Sequence, residues 1–283
     1  MSTLIIARLT FREAARRRIL LAALLLGLVF LAVFSIGFYY IMRDLQANLL
    51  RSRSLLEVNE IRNFLMMAGL YVVNFLTVMM TVLTSVDTLS GEIGSGTIHT
   101  IVAKPIRRWE VVLGKWLGFA GMLTLYLLLM AGGVMGMVYL LSGYTAANSL
   151  RALGLMWLNA LLLLSVSLFG GSLLSTLANG VLVFGLYSVA FLGGWIEQIG
   201  SFLSNFAASQ TAVRIGIITS LILPSEALWR RAAYEVQSPL VAALGFSPFA
   251  SPSVPSLLMV WYALGYLVVM FALAVRQFSK RDL

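Results

Sequence analysis

Six stretches of mostly apolar residues, at 19–41, 64–86, 116–141, 153–175, 180–196 and 256–275, divide the chain of 283 residues. A helix needs about 20 such residues to cross the hydrocarbon core of a bilayer. Only the fifth stretch falls short of that length. A soluble domain is usually about 45–50% apolar and about 25% charged; here the fractions are 60% and 11%. No single core encloses that much apolar surface, so lipid must solvate part of it. The expected fold is an all-α membrane protein, a single transmembrane domain over 1–283 with six spans. A water-soluble enzyme, a disulfide scaffold and a disordered chain are excluded. Between the fourth and fifth stretches only 176–179 intervene, uncharged, with Asn179-Gly180 as the turn signal, so a tight hairpin is expected there.

An even number of spans puts both ends on one side, and Lys and Arg choose which. Twelve of the 20 basic residues fall in the arm 1–18, the connection 87–115 and the tail 276–283. The other eight (Arg43, Arg51, Arg53, Arg62, Arg151, Arg214, Arg230 and Arg231) are spread thinly over the longer connections 42–63, 142–152 and 197–255. Both termini are therefore expected to be cytoplasmic. The net charge of +9 reads as membrane orientation rather than nucleic-acid binding. The first apolar stretch exceeds the roughly 7–15 residues of a signal-peptide core and is expected to remain as a span.

Several chemistries lack their residues. Without cysteine there is no disulfide, iron–sulfur cluster or thiolate site, and His99 alone cannot build a multi-histidine metal site. A phosphate-binding loop needs Gly-x-x-x-x-Gly-Lys followed by Ser or Thr. The one Gly-Lys here, Gly114-Lys115, is followed by Trp116, with Trp109 at the first glycine position. No Asp, Glu, His, Lys or Arg falls within the six stretches as drawn, which argues against a proton relay or catalysis in the bilayer. The polar residues within them are neutral. Asn74, Thr77, Thr81 and Thr84 recur at 3-4-3 spacing, a strip facing either a transport path or a partner helix. Gly132-x-x-x-Gly136 and Gly171-x-x-x-Ser175 permit close helix approach. Met66-Met67 and Met79-Met80 carry soft sulfur but, with no Cys and one His, read as packing.

Outside the spans, Leu4, Ala7, Phe11 and Ala14 share one helical face of the N-terminal arm, and Arg8, Arg12 and Arg16 another. An interfacial helix at the inner leaflet is expected; the alternative is a positive flank that only orients the first span. In the long outer connection 197–255, the apolar run 215–223 is too short to span and either dips into the membrane or packs on other spans. Pro224-Ser225 offers a helix start with Ser225 as N-cap. Trp229, Ala232, Ala233 and Val236 form a stripe, with Arg230, Arg231 and Glu235 off it. That pattern predicts an amphipathic helix at the outer interface, serving as a gate or as a lid.

The connection 87–115 is the most unusual stretch. Gly91, Gly94 and Gly96 loosen the exit of the second span, 97–103 is rich in β-branched residues, and Pro105 stops what 97–103 begins. A helix then restarts over 107–114 and runs into the third span. A short transverse helix held by two long ones is well placed to receive force from a cytosolic partner.

Glu92, Gly96, Thr97, Lys104, Pro105, Arg108, Trp109, Gly114 and Lys115 follow a pattern that resembles the membrane subunits of type-2 ABC exporters, one branch of which serves multicopper-enzyme maturation. The likeness extends to the basic N-terminal helix, six spans, long outer connection and basic tail. It implies a permease dimer, here a homodimer, in the plasma (inner) membrane, with the translocation path at the two-fold interface. A separate ABC ATPase subunit would bind ATP and Mg, with no cofactor in this chain, and lipid but no nucleic acid would be a partner. The short helix would be the coupling helix, with Glu92, Gly96, Thr97, Ile98, His99, Ile101, Lys104, Pro105 and Arg108 at the ATPase. The alternatives are a solvated loop acid for Glu92 and lipid-phosphate anchors for Arg108 and Lys115. Two rival functions stand beside this one. The first is a non-transport scaffold or assembly factor whose outer connection holds a partner protein. The second is an intramembrane enzyme, against which the missing ionisable residues speak.

Overall fold

The computed structural model describes residues 2–49, 55–96, 107–202, 208–238 and 254–281. In chain order its helices are α1 (Ser2–Arg16), α2 (Arg18–Leu49), α3 (Leu55–Ser85), α4 (Asp87–Gly94), α5 (Arg108–Ser142), α6 (Ser149–Leu173), α7 (Thr176–Phe202), α8 (Ala208–Ile222), α9 (Ser225–Val236) and α10 (Leu257–Lys280). All six expected apolar stretches are helices long enough to span, with α4 prolonging α3 into one candidate span over Val58–Gly94.

Helix α6 is the hub. It touches α3, α4, α5, α7, α9 and α10, and from Leu161 to Leu168 every side chain is buried. A helix that is apolar on all sides must be enclosed by others. Its apolar window is 67% buried, against 11% for α2 and for α10, which pack at the rim and turn residues such as Leu25, Val29, Leu258 and Trp261 outward. Apolar surface of that extent is of the kind covered by lipid or by a partner helix. Met66, Met67 and Met80 lie in the main apolar core. Among the described residues, nothing comes within 4 Å of a Cβ placed on Gly132 or Gly136, so that pair seats none of the described helices.

The N-terminal helix departs from its expected face. Ile6, Thr10 and Ala14 are buried, whereas Leu4 is 72% exposed. The reason is on the other helix: Gly114 and Gly118 of α5 form a trough one turn long. A Cβ on Gly114 would sit 2.7 Å from Ile6 Cβ, and one on Gly118 2.7 Å from the Ala7 carbonyl oxygen. The backbone of α1 lies in that trough, and the side chains that point into it set the face. α1 packs on the start of α5, whose Arg108 reaches the end of α10. Both termini thus lie at one end of the bundle, as six spans require.

Two local readings are corrected. The hairpin between the fourth and fifth spans turns at Leu174-Ser175, and Asn179 and Gly180 are already inside α7. Asn179 is fully buried and donates to the Val86 and Ser167 carbonyls (3.0 and 2.9 Å); its tertiary bonds outweigh its turn preference. Helix α9 shows the expected stripe buried, but Arg230 and Glu235 on its other side are buried as well. It starts one residue early, with Pro224 at the N-cap position and no side-chain cap bond, and the Ser225 hydroxyl caps nothing. α8 runs back along α7, and α9 leaves it at 107°, so α9 is wedged among α3, α6, α7 and α10 instead of floating on an interface.

Candidate functional site

At the terminus-bearing end, α4 and α5 bracket residues 97–106. Thr97, Ile98, His99, Ile101, Lys104 and Pro105, expected to contact a partner, lie outside the described residues. Glu92, Gly96 and Arg108 are described and sit at the two roots of that segment. Gly96 has φ +72°, the left-handed conformation that ends a helix and suits glycine; the Ser95 and Gly96 N–H groups bond back to the Gly91 and Ile93 carbonyls (2.9 and 3.3 Å). On the other root, α5 starts with a reciprocal cap. The Arg107 N–H donates to the Glu110 carboxylate (3.3 Å) and the Glu110 N–H to the Arg107 carbonyl (2.9 Å), two of the donors a helix start leaves orphaned.

The two roots are bolted together by charge. The Lys115 ammonium of α5 donates to the Glu92 carboxylate of α4 and to the Thr88 carbonyl (3.4 Å). Lys115 is 3% exposed, so the reading of it as a lipid anchor is overturned. Glu92 turns its carboxylate inward to that lysine instead of into solvent. Removing one member leaves the other poorly solvated at a cost of about 2–3 kcal/mol, less than for a fully buried pair because Glu92 keeps 18% of its side-chain surface exposed.

Other elements brace the same frame. Arg17, at the corner between α1 and α2, pairs with Glu13 (2.7 Å) and with Asp87 at the start of α4 (3.5 Å). Asp87 also accepts from Thr176 (3.1 Å), whose hydroxyl lies 3.0 Å from Ser90. Arg108 donates to the Ser279 and Arg281 carbonyls (3.2 and 2.5 Å), and Arg281 to the Ser172 carbonyl at the end of α6 (2.7 Å). Guanidinium groups therefore satisfy carbonyls left orphaned at two helix C-termini, where cations are also favoured by the helix dipole. A displacement of α4 cannot occur without α5, α7 and the α1–α2 corner feeling it.

The neutral strip lies inside the helix bundle. Thr77, Thr81 and Thr84 donate to the Val73, Thr77 and Met80 carbonyls of their own helix (2.8, 2.7 and 2.7 Å). Asn74 accepts from Asn159 of α6 (3.3 Å). All four are buried, at a helix–helix contact.

A second charged cluster sits at the far end, where the residues were drawn as outer connection. Arg230 of α9 pairs with Glu197 of α7 at 2.7 Å, their side chains 5% and 4% exposed, and reaches the Ser220 hydroxyl at 3.3 Å. Glu226, also buried, lies against Gly194, where a Cβ would come 2.2 Å from its Cγ. The apolar stretch ending at 196 stops one residue short of Glu197, which is why the sequence reading found no charge in the spans. A single signal was available: Glu226 and Arg230 follow closely on the apolar run 215–223, which is too short to span, and Glu197 follows directly on the fifth apolar stretch.

Two comparisons bear on this geometry. A family model described as ABC-2 family transporter protein matches residues 4–283, from the first turn of α1 through the tail. No curated protein matches the chain.

Proposed function

The chain belongs to the ABC-2 family of transporter proteins, as a permease subunit, and on that premise we propose that it is driven by a separate ATP-binding subunit through residues 97–105 and works as an exporter. The permease forms a homodimer with the translocation path at the two-fold interface. It sits in the plasma (inner) membrane with both termini cytoplasmic, the side favoured by the density of Lys and Arg. ATP and Mg belong to the partner, since this sequence has no phosphate-binding loop. Its one Gly-Lys is taken up otherwise: Gly114 receives α1 and Lys115 holds Glu92.

One observation carries the mechanical part: the buried Glu92–Lys115 pair at the root of the partner-facing segment. Closure of the ATPase subunits pushes on 97–105. Because the roots are tied, the push is delivered to α3–α4 and α5 together, both long and apolar enough to cross the membrane. At 1.5 Å per residue, the 37 residues of Val58–Gly94 make a lever about 55 Å long. A small tilt at its base then becomes a change of access at the far end, a two-state bias set by the partner's nucleotide state.

The test is to co-express the chain with its ATP-binding subunit and measure transport-linked ATPase activity in membranes. Glu92→Gln should lower the stimulated rate while the complex still assembles. Exchanging the pair, Glu92→Lys with Lys115→Glu, should restore part of it. Unchanged stimulation in Glu92→Gln, or a purified chain that associates with no ATP-binding subunit, would overturn the proposal.

A further inference from the structure

The start of α10 is flanked by two cavities. One, of about 270 Å³, lies toward α8 and is bordered by the Arg230–Glu197 pair, a cation already matched by an anion. The other, of about 320 Å³, lies between α6, α9 and α10, and its composition is sorted along its length. Its upper rim carries Arg151 of α6 with Arg231 and Glu235 of α9. Below the rim the walls are Gly154, Leu155 and Leu158 of α6 and Leu257 and Val260 of α10.

Helices α6 and α10 both start at this end of the bundle, so descending either one means moving into the membrane. From Arg151 to Leu158 is about 10 Å at 1.5 Å per residue. Arg151, Gly154, Leu155 and Leu158 share one helical face by their 3-1-3 spacing. The cleft therefore has charge at the depth of a headgroup and hydrocarbon at the depth of an acyl chain. It opens toward lipid, since the neighbouring Leu257 and Leu258 are 63% and 77% exposed.

The charge has a sign. Glu235 is shared by two arginines, Arg231 at 3.0 Å and Arg151 at 3.8 Å. Two cations meet one carboxylate, which leaves one positive charge at the rim. The Arg151 side chain is 73% exposed and able to turn to a ligand, while Arg231 is fixed by the Pro255 carbonyl (3.3 Å) and by the ring of Tyr234 beneath it. We propose that this cleft holds one phospholipid with a net negative headgroup, its phosphate between Arg151 and Arg231 and one acyl chain along Gly154, Leu158 and Val260. The lipid fills the gap between α9 and the start of α10 and so sets how closely α10 rests on the bundle. A free anion would satisfy the arginines but leave the apolar slot empty; an uncharged lipid would fill the slot but leave the rim's excess charge unmatched.

The test uses the full chain purified in mild detergent. The equivalents of lipid held per chain are counted by native mass spectrometry after adding phosphatidylglycerol or phosphatidylcholine, and thermal melting is followed with each lipid and with inorganic phosphate. Wild type should hold one equivalent of phosphatidylglycerol in preference to phosphatidylcholine by about five-fold, the weight of one basic residue on an anionic lipid. Arg151→Ala should bring the two lipids near parity. Gly154→Leu, at a position where a Cβ meets nothing within 4 Å, should fill the slot and release both lipids without unfolding the chain. Equal retention of the two lipids by wild type would overturn the proposal. So would wild-type lipid binding in Gly154→Leu, or melting raised by inorganic phosphate as much as by phosphatidylglycerol.

Discussion

The two ends of this bundle use buried charge in opposite ways. At the terminus-bearing end, ion pairs and guanidinium caps link α1, α2, α4, α5, α6, α7 and α10 into one frame around residues 97–106. At the far end, charge is concentrated on α9: Arg230 with Glu197, and Arg231 and Arg151 with Glu235. There the first turn of α10 has cavities on both sides. The contrast suits a lever. The end proposed to receive force is braced so that displacement would be passed on, and the opposite end has room for a helix to shift. It also shows that a buried ion pair has no fixed role; what matters is how many elements it joins.

Arg230 offers the sharpest way to break this comparison. Arg230→Met leaves Glu197 without its buried cation, next to Glu226, and should destabilise the chain by about 3–5 kcal/mol, read as a fall in melting temperature in detergent. A loss under about 1 kcal/mol would mean that water reaches the cluster and that the far end is not sealed. Lys115→Met comes next. Its partner Glu92 keeps 18% of its side-chain surface exposed and can rehydrate, so the loss should be smaller, about 2–3 kcal/mol, and Glu92→Gln in the same chain should recover part of it. If Lys115→Met proved more costly than Arg230→Met, the ranking of the two ends would be reversed. The smallest effect should come from the strip between them. Thr81→Val removes a hydroxyl bonded only to its own helix and should change stability by no more than about 1 kcal/mol, with transport unaltered. Lost transport at unchanged stability would place that strip on the substrate path.

Much of this was legible in the chain because it follows from local composition. The six spans are apolar for about 20 residues each, and no arrangement in water accommodates that. The break after the second span, at Gly91, Gly94 and Gly96, and the restart of a helix near Arg107 beyond Pro105 follow from glycines and a proline. Other features were not legible because they depend on what stands opposite. Leu4 and Ile6 are equally apolar, and only the trough of Gly114 and Gly118 on another helix decides that Ile6 is buried. Asn179-Gly180 has the chemistry of a turn, yet Asn179 donates to the Val86 and Ser167 carbonyls across a helix contact and stays helical. Arg230 looked like the wet side of an amphipathic helix because its partner, Glu197, lies 33 residues away on α7.

Hydropathy alone thus determined that the chain is a multi-pass membrane protein with six stretches apolar enough to span as helices, because a lone segment in lipid satisfies its backbone only as a helix. Tertiary structure alone decided which charges are buried and with whom. A carboxylate or an ammonium enters a low-dielectric interior only beside its counterion, and the identity of that counterion is a fact of packing between helices distant in sequence. Lys115 with Glu92, and Arg230 with Glu197, are two of the places where that decision was made.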